Sequence, residues 1–115
     1  MSIVRHEPKK ILSSAVEANG MVYLSGITAE KLPATVKEQT AEILAKIDSL
    51  LAAAGSNKSK LVSCMIWVTD IRFREELNEV WLKWVDPANL PARACVAAPL
   101  ANPNLFVEIA AIATK

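Results

Sequence analysis

The chain has 115 residues, 52% of them hydrophobic, and its 13 basic and 12 acidic residues give a net charge of +1. This length fits a single domain covering residues 1–115. Basic and acidic residues are balanced and the sequence has no basic block, which argues against a nucleic-acid-binding surface. No apolar run approaches the roughly 20 residues of a membrane span.

The N-terminal quarter of the chain predicts short strands. Residues 3–6 and 11–17 each have the length and composition of a strand. The pair Asn19-Gly20 is typical of a two-residue hairpin turn, and residues 21–25 supply the strand that follows it. Residues 27–34 are predicted to form a loop.

A long helix is predicted to begin at Thr35. Thr35 and Glu38 have the spacing of a capping box, and Gly55 is a plausible stop after about 19 residues. Between them, apolar and small residues recur at helical spacing and predict one buried face. These residues are Val36, Thr40, Ile43, Leu44, Ile47, Leu50, Leu51 and Ala54.

The second half of the chain predicts a buried strand followed by a second helix. Residues 60–69 are almost entirely apolar, as in a strand buried on both faces or nearly so. Asp70 could cap a helix over residues 71–85, which Asp86-Pro87 would end.

Two further strands are predicted at residues 92–98 and 105–113, and we expect the segment between them, Pro99 to Asn104, to be a hairpin turn. The order β-β-α-β-α-β-β predicts an α+β fold, with a mixed sheet and two helices packed on one face. We expect neighbouring subunits to cover the other face, because the chain has more apolar residues than a small monomer usually needs.

Arg93 and Glu108 are charged residues inside otherwise apolar strands. Charged side chains are rarely buried there unless they are paired or functional. If the last two strands form a hairpin, Cys95 lies opposite Glu108, and Arg93 and Glu108 become diagonal neighbours on one face. A register slip of one residue would place them on opposite faces. Two interpretations remain open: a pocket for a small ligand, or a structural ion pair between the two residues.

The chemistry of these two residues favours hydrolysis of a small carboxylate-bearing substrate. An arginine binds a carboxylate through two parallel hydrogen bonds, and a glutamate orients or deprotonates a water molecule. We expect no zinc site, because the chain has one histidine, His6, and two cysteines that are distant in sequence. We expect no dinucleotide or phosphate site either, because residues 19–26 lack the glycine spacing of those motifs. Without a histidine beside it, Cys95 is expected to be a structural thiol, not a nucleophile.

The sequence resembles the Rid family of reactive intermediate deaminases, also called the YjgF type. The most specific resemblance is Pro91-Ala92-Arg93-Ala94-Cys95-Val96 followed by residues 107–113, Val-Glu-Ile-Ala-Ala-Ile-Ala. Supporting resemblances are residues 19–26, which end in Ser-Gly, residues 61–70, and Asn78 in the second helix. Together they cover nearly the whole chain.

This resemblance implies a chorismate-mutase-like fold and a homotrimer with three clefts between subunits. A cytoplasmic location is expected separately, because Cys64 and Cys95 have the sequence context of buried free thiols and the first residues contain no apolar signal segment. It also implies hydrolysis of enamines and imines such as 2-aminoacrylate to 2-keto acids and ammonia, without a cofactor. By position, Arg93 would bind the substrate carboxylate. Glu108 would position the attacking water, assisted by the backbone carbonyl of Cys95.

The remaining site residues are also implied by the resemblance. Ser25 and Gly26 would line the cleft near the imine, and Asn78 would support its wall. Leu12 stands where the family carries a tyrosine that reaches the cleft, so this position offers no hydroxyl and the cleft is expected to be more apolar.

Two alternatives to catalysis stay open. The same cleft could bind small carboxylates in a non-catalytic, regulatory trimer, an interpretation that the missing hydroxyl at Leu12 favours. Nucleic-acid cleavage or translation inhibition is attributed to some members of the family, but the balanced charge argues against it here.

Overall fold

The computed structural model describes residues 2–115, which form one six-stranded mixed sheet and two α-helices. The predicted α+β class is confirmed, with one strand more than the predicted order because both N-terminal segments are strands. The elements are β1 (Ile3–Pro8), β2 (Ser13–Ala18), β3 (Met21–Leu24), α1 (Val36–Ala53), β4 (Leu61–Val68), α2 (Arg74–Trp84), β5 (Ala92–Ala97) and β6 (Val107–Thr114).

The hairpin between β2 and β3 turns at Asn19-Gly20, as predicted. Both residues have left-handed backbone conformations, with φ of 53° and 77°. Two consecutive positive φ angles define the turn whose twist matches antiparallel strands. The antiparallel pairing of β2 with β3 follows directly from this turn.

Helix α1 begins with the predicted capping box. The Glu38 amide donates to Oγ1 of Thr35 at 3.1 Å, and the Thr35 amide donates to Oε1 of Glu38 at 2.8 Å. These two bonds satisfy amides that would otherwise lack partners at the start of the helix. The predicted apolar face is buried against the sheet and includes Ile43, Leu44, Ile47, Leu50 and Leu51.

Strand β4 lies next to the edge strand β5 of the sheet and pairs with it in parallel, while β6 is antiparallel on its other side. Asp70 caps a short 3₁₀ turn, Ile71–Phe73, and α2 follows at Arg74. The predicted second helix is therefore present, with a 3₁₀ first turn. It serves as the crossover that a parallel pair of strands requires.

The predicted hairpin between the last two strands is wrong. The strand order is β1-β2-β3-β6-β4-β5, so β4 lies between β5 and β6. The connection from Pro99 to Asn104 passes over the end of β4: the Ala98 amide donates to the Val68 carbonyl, and the Thr69 amide donates to the Phe106 carbonyl. The segment is therefore a connection that crosses the end of β4, although its prolines and asparagines are typical of a tight turn.

The two faces of the sheet differ in what covers them. The covered face packs against the helices, and its central residues are Cys64, Ile66, Val68, Val107, Ile109 and Ala111, all buried. The open face has no layer over it among residues 2–115. It carries Val16, Tyr23, Met65, Trp67, Val96, Ala110 and Ile112, of which Tyr23 is 43% and Val96 40% exposed.

Candidate functional site

Arg93 and Glu108 lie on opposite faces of the sheet. Arg93 is the register partner of Cys64, which points into the covered face, whereas Glu108 is the partner of Trp67, which points to the open face. Side chains of paired residues project to the same side of a sheet. The prediction that the two charged groups lie on one face of the sheet is therefore wrong, and so is the alternative of an ion pair between them within the chain.

The residues predicted to line the cleft near the imine do lie together. Leu12, Ser25 and Gly26 line one cavity of about 570 Å³ between the β1–β2 connection and α1. Ser25 is held in place because its amide donates to the Ser14 carbonyl at 3.0 Å and its hydroxyl donates to the same oxygen at 3.3 Å. Leu12 is 43% exposed and presents only apolar surface.

Glu108 lies next to this group of residues, because its side chain packs against Gly26. A β-carbon on Gly26 would lie 2.2 Å from Oε2 and 2.9 Å from Cδ of Glu108, so only glycine leaves room for the carboxylate. The neighbouring Ile27 pairs with Ile109 through two backbone hydrogen bonds of 2.8 and 3.1 Å, which fix Gly26 beside β6. We call Leu12, Ser25, Gly26 and Glu108 the Glu108 half-site.

A second group of predicted residues surrounds Arg93 on the covered side, at the edge formed by β5 and α2. The guanidinium carbon of Arg93 lies 5.1 Å from the centroid of the Trp81 ring. Within residues 2–115, the salt bridges all involve other side chains, so the guanidinium keeps its hydrogen-bond donors available. Cys95 lies two residues further along the same face of β5.

Asn78 belongs to the same region through α2, one turn before Trp81. Its side-chain oxygen Oδ1 is buried and has no hydrogen-bond partner within residues 2–115. A buried acceptor without a partner is uncommon in a folded protein. We call Arg93, Cys95 and Asn78 the Arg93 half-site.

The two thiols are poorly suited to nucleophilic attack. Burial raises the pKa of Cys64 to about 11, and the Arg93 charge only partly opposes this. Burial also raises the pKa of Cys95, against the lowering effects of Arg93 and Arg74. His6 lies on β1, at the opposite edge of the sheet, where its ring contacts Glu17.

The structure thus groups the predicted residues into two sets. Leu12, Ser25, Gly26 and Glu108 form one set, and Arg93 and Cys95, with α2 beside them, form the other. Trp81 was not predicted as a site residue, because an apolar residue inside the predicted helix over residues 71–85 indicates only a core position. Its proximity to Arg93 depends on the parallel pairing of β4 with β5, which no local pattern reveals.

Residues 2–115 contain neither a candidate metal site nor a helix suited to span a membrane. No group of three or more histidine, cysteine, aspartate or glutamate side chains is arranged as a metal site. Neither helix combines the length and the apolar character needed to cross a bilayer.

The chain is similar to known proteins over almost its whole length. Residues 3–115 match the protein-family model described as Endoribonuclease L-PSP. The chain is 41% identical to a RutC family protein of Haemophilus influenzae over 115 residues, which is 99% of both proteins. It is 43% identical to the crystal structure of a YjgF-family member from Neisseria meningitidis, with a TM-score of 0.97 and coverage of 100% of this chain and 96% of that one.

A relative whose name states an activity is more distant. Reactive Intermediate Deaminase A of Arabidopsis thaliana, a chloroplast protein, is 32% identical over 108 residues, covering 89% of this chain and 57% of the plant protein. The predicted YjgF-type fold is confirmed by the structural similarity at a TM-score of 0.97.

Proposed function

This chain belongs to the Rid/YjgF family, and on that premise we propose that it hydrolyses reactive enamines and imines of the 2-aminoacrylate type to 2-keto acids and ammonia. The Arabidopsis relative named Reactive Intermediate Deaminase A supports this reaction class. The proposed enzyme needs no cofactor and acts in the cytoplasm. Its substrate is a small imine that carries a carboxylate.

The separation of Arg93 and Glu108 onto opposite faces of one sheet is the observation that carries the proposed assembly. Strand β4 is hydrogen-bonded to both β5 and β6, so a small ligand cannot reach both groups through a single chain. A shared ligand therefore requires the Arg93 half-site of one protomer to face the Glu108 half-site of its neighbour. The proposed assembly is a homotrimer with three such clefts.

The open face supports self-association. It presents aromatic and aliphatic side chains, including the 43% exposed Tyr23 and the half-buried Trp67. Contiguous apolar surface of this kind is typical of interaction sites. In a closed ring, each copy would use one surface to meet the preceding subunit and another to meet the next.

In the proposed mechanism, Arg93 binds the substrate carboxylate through two parallel N–H donors. Glu108, assisted by the Cys95 carbonyl, orients a water molecule and takes its proton as the oxygen adds to the iminium carbon. Glu108 then returns this proton to the nitrogen. The C–N bond breaks while the hydroxyl gives its proton to Glu108, which passes it to the departing ammonia, so that a 2-keto acid and an ammonium ion leave.

The other residues of the two half-sites shape the cleft. Ser25 and Gly26 line it near the imine, Asn78 supports the wall beside Arg93, and Leu12 contributes apolar surface. Orientation and one proton carrier suffice for this chemistry, because the iminium carbon is already electrophilic.

The second candidate is a non-catalytic trimer that binds small carboxylates in the same clefts. Leu12 favours it, since the side chain lines the cavity without the hydroxyl that the family usually places there. The name of the family model refers instead to endoribonuclease activity. The net charge of +1 provides little electrostatic attraction for a polyanion, which argues against that activity in this chain.

The deciding experiment measures ammonia release from imines that an amino-acid oxidase generates in the assay, across several parent amino acids. The wild-type protein is compared with Arg93→Ala and with Arg72→Ala, a control in which an 85% exposed arginine is removed. We expect Arg93→Ala alone to lose activity. Imine decay at the buffer rate with the wild-type protein rejects the deaminase.

Two further measurements test the other parts of the proposal. Calorimetry with 2-keto acids separates the candidates, because heat of binding without turnover supports the regulatory trimer. Light scattering that gives a monomer at micromolar concentration contradicts the intersubunit cleft.

A further inference from the structure

The guanidinium of Arg93 has one close partner within residues 2–115, the indole ring of Trp81. The distance from Cζ to the ring centroid is 5.1 Å, within the range of a cation–π contact. No salt bridge holds the guanidinium in addition. An arginine side chain has several rotatable bonds, so a group without such a partner would sample many orientations.

Trp81 is itself firmly held. It is 6% exposed, and its ring centroid lies 5.5 Å from that of Trp84. Trp84 donates from Nε1 to Oδ2 of Asp48 on α1 at 2.8 Å, and the Lys58 ammonium lies 5.4 Å from its ring centroid. The Trp81 ring is therefore fixed relative to α1 as well as to its own helix.

A cation–π contact is made with the ring and uses no oxygen or nitrogen acceptor. The N–H donors of arginine therefore stay available, and two of them can bind both oxygens of a carboxylate. The indole ring can thus restrict the motion of the guanidinium without competing with the ligand. A carboxylate partner in the same place would occupy those donors and neutralise the charge.

We propose that Trp81 is a positioning residue that holds the Arg93 guanidinium in the orientation that binds the substrate carboxylate. This inference rests on the proposed function, in which Arg93 binds that carboxylate. Trp81 acts through Arg93 and does not touch the substrate. Its removal should weaken carboxylate binding more than it slows the chemical step.

The test compares Trp81→Leu, which removes the aromatic face, with Trp81→Phe, which keeps one. Leu77→Val is the matched control, because Leu77 is fully buried one turn earlier on the same helix and has no aromatic ring to offer a guanidinium. The measurements are the dissociation constant for a 2-keto acid by calorimetry, and kcat and KM for imine hydrolysis.

We expect Trp81→Leu to raise the dissociation constant and KM about tenfold with a smaller change in kcat, Trp81→Phe to recover most of the affinity, and Leu77→Val to keep the wild-type KM. In an Arg93→Ala background, Trp81→Leu should have no further effect on binding. Circular dichroism establishes that each variant is folded.

Three results overturn the inference, and they differ in what else they reject. If Trp81→Leu binds the keto acid within twofold of wild type while Arg93→Ala does not bind it, Trp81 has no positioning role and the proposed function stands. If Trp81→Phe is as impaired as Trp81→Leu, the aromatic face is not what matters. If Arg93→Ala binds as well as wild type, both the inference and the proposed function fail.

Discussion

Gly26 and Glu108 are packed so closely that a β-carbon on Gly26 would lie 2.2 Å from Oε2 of the glutamate. The backbone of Gly26 is outside the left-handed region, so its conformation alone does not require glycine. The requirement is space. The position of the Glu108 carboxylate therefore depends on the absence of a side chain at residue 26.

The first prediction concerns Gly26→Ala. The new methyl group would displace the end of the flexible Glu108 side chain while the strand stays in place. We expect kcat/KM for imine hydrolysis to fall about 10- to 100-fold, because small displacements of a catalytic group cost this much. The measurement is ammonia release, with thermal unfolding recorded alongside.

Gly20→Ala is the matched control for this substitution. A β-carbon on Gly20 meets no atom within 4 Å, but its φ is +77°. We expect this variant to lose about 1–2 kcal/mol of stability, because alanine is strained in that conformation, and to keep its activity. Wild-type rates in Gly26→Ala would contradict a catalytic position for Glu108.

The second prediction tests whether each cleft combines two chains. Arg93→Ala lacks the carboxylate-binding group and Glu108→Gln lacks the base, so each homogeneous variant should be inactive. In oligomers assembled from equal amounts of both chains, about one quarter of the clefts should join an intact Arg93 to an intact Glu108.

Activity near a quarter of the wild-type value after co-expression is therefore the expected outcome. Mixing of the chains is verified by mass spectrometry of the intact assembly. A mixture as inactive as its parents, despite verified exchange, would contradict the shared cleft.

The third prediction concerns acid stability at Asp70. Hydrogen bonds from Arg72 lower the pKa of Asp70 to about 2, from an ordinary value of 3.8. Because the folded pKa is below the unfolded one, this carboxylate stabilises the fold above pH 4, and its contribution is lost as the pH falls towards 2. In Asp70→Asn, the melting temperature should fall less between pH 4 and pH 2.

Melting curves over this pH range are the measurement, with Arg72→Gln as a second variant because it removes the same interaction from the other side. Equal acid dependence in wild type and Asp70→Asn would show that the pair does not contribute to stability.

The fourth prediction concerns the thiols. Cys64 is 2% exposed, and its pKa is raised to about 11 by burial, so at pH 8 it is both protonated and inaccessible. We expect iodoacetamide to leave Cys64 unmodified in the folded protein and to modify both cysteines in denaturant. Peptide mass spectrometry reads out each site, and labelling of Cys64 at the unfolded rate would contradict the structure.

The features that could be predicted from sequence are those encoded within a few residues. The capping box needs only Thr35 and Glu38, and the hairpin turn needs only Asn19 and Gly20. Both form because side chains and backbone within one turn satisfy each other. The apolar face of α1 is equally local, since it follows from helical periodicity.

Strand pairing could not be predicted in the same way. The strands β5 and β6 are consecutive in the chain, and consecutive strands usually pair. Here β4 lies between them and is hydrogen-bonded to both, with alternate side chains buried on the covered face. That choice depends on contacts between segments distant in sequence, which the turn residues of the connection do not encode.

The residues of the candidate site could be predicted from the sequence, but their arrangement in space could not. Arg93 and Glu108 attract notice because each interrupts an apolar strand. Their distribution over two faces follows from the parallel register that pairs Arg93 with Cys64, and this register arises only in the folded sheet. The role inferred for Trp81 depends on the same register.

The open face also has a consequence for how the protein is made. A chain that has just left the ribosome folds its helices over one side of the sheet and presents Tyr23, Trp67 and Val96 to water on the other. Such surface is a ready target for chaperones and for non-specific aggregation. In the proposed trimer this surface is covered, so the yield of correctly folded material should depend on how quickly nascent copies meet one another.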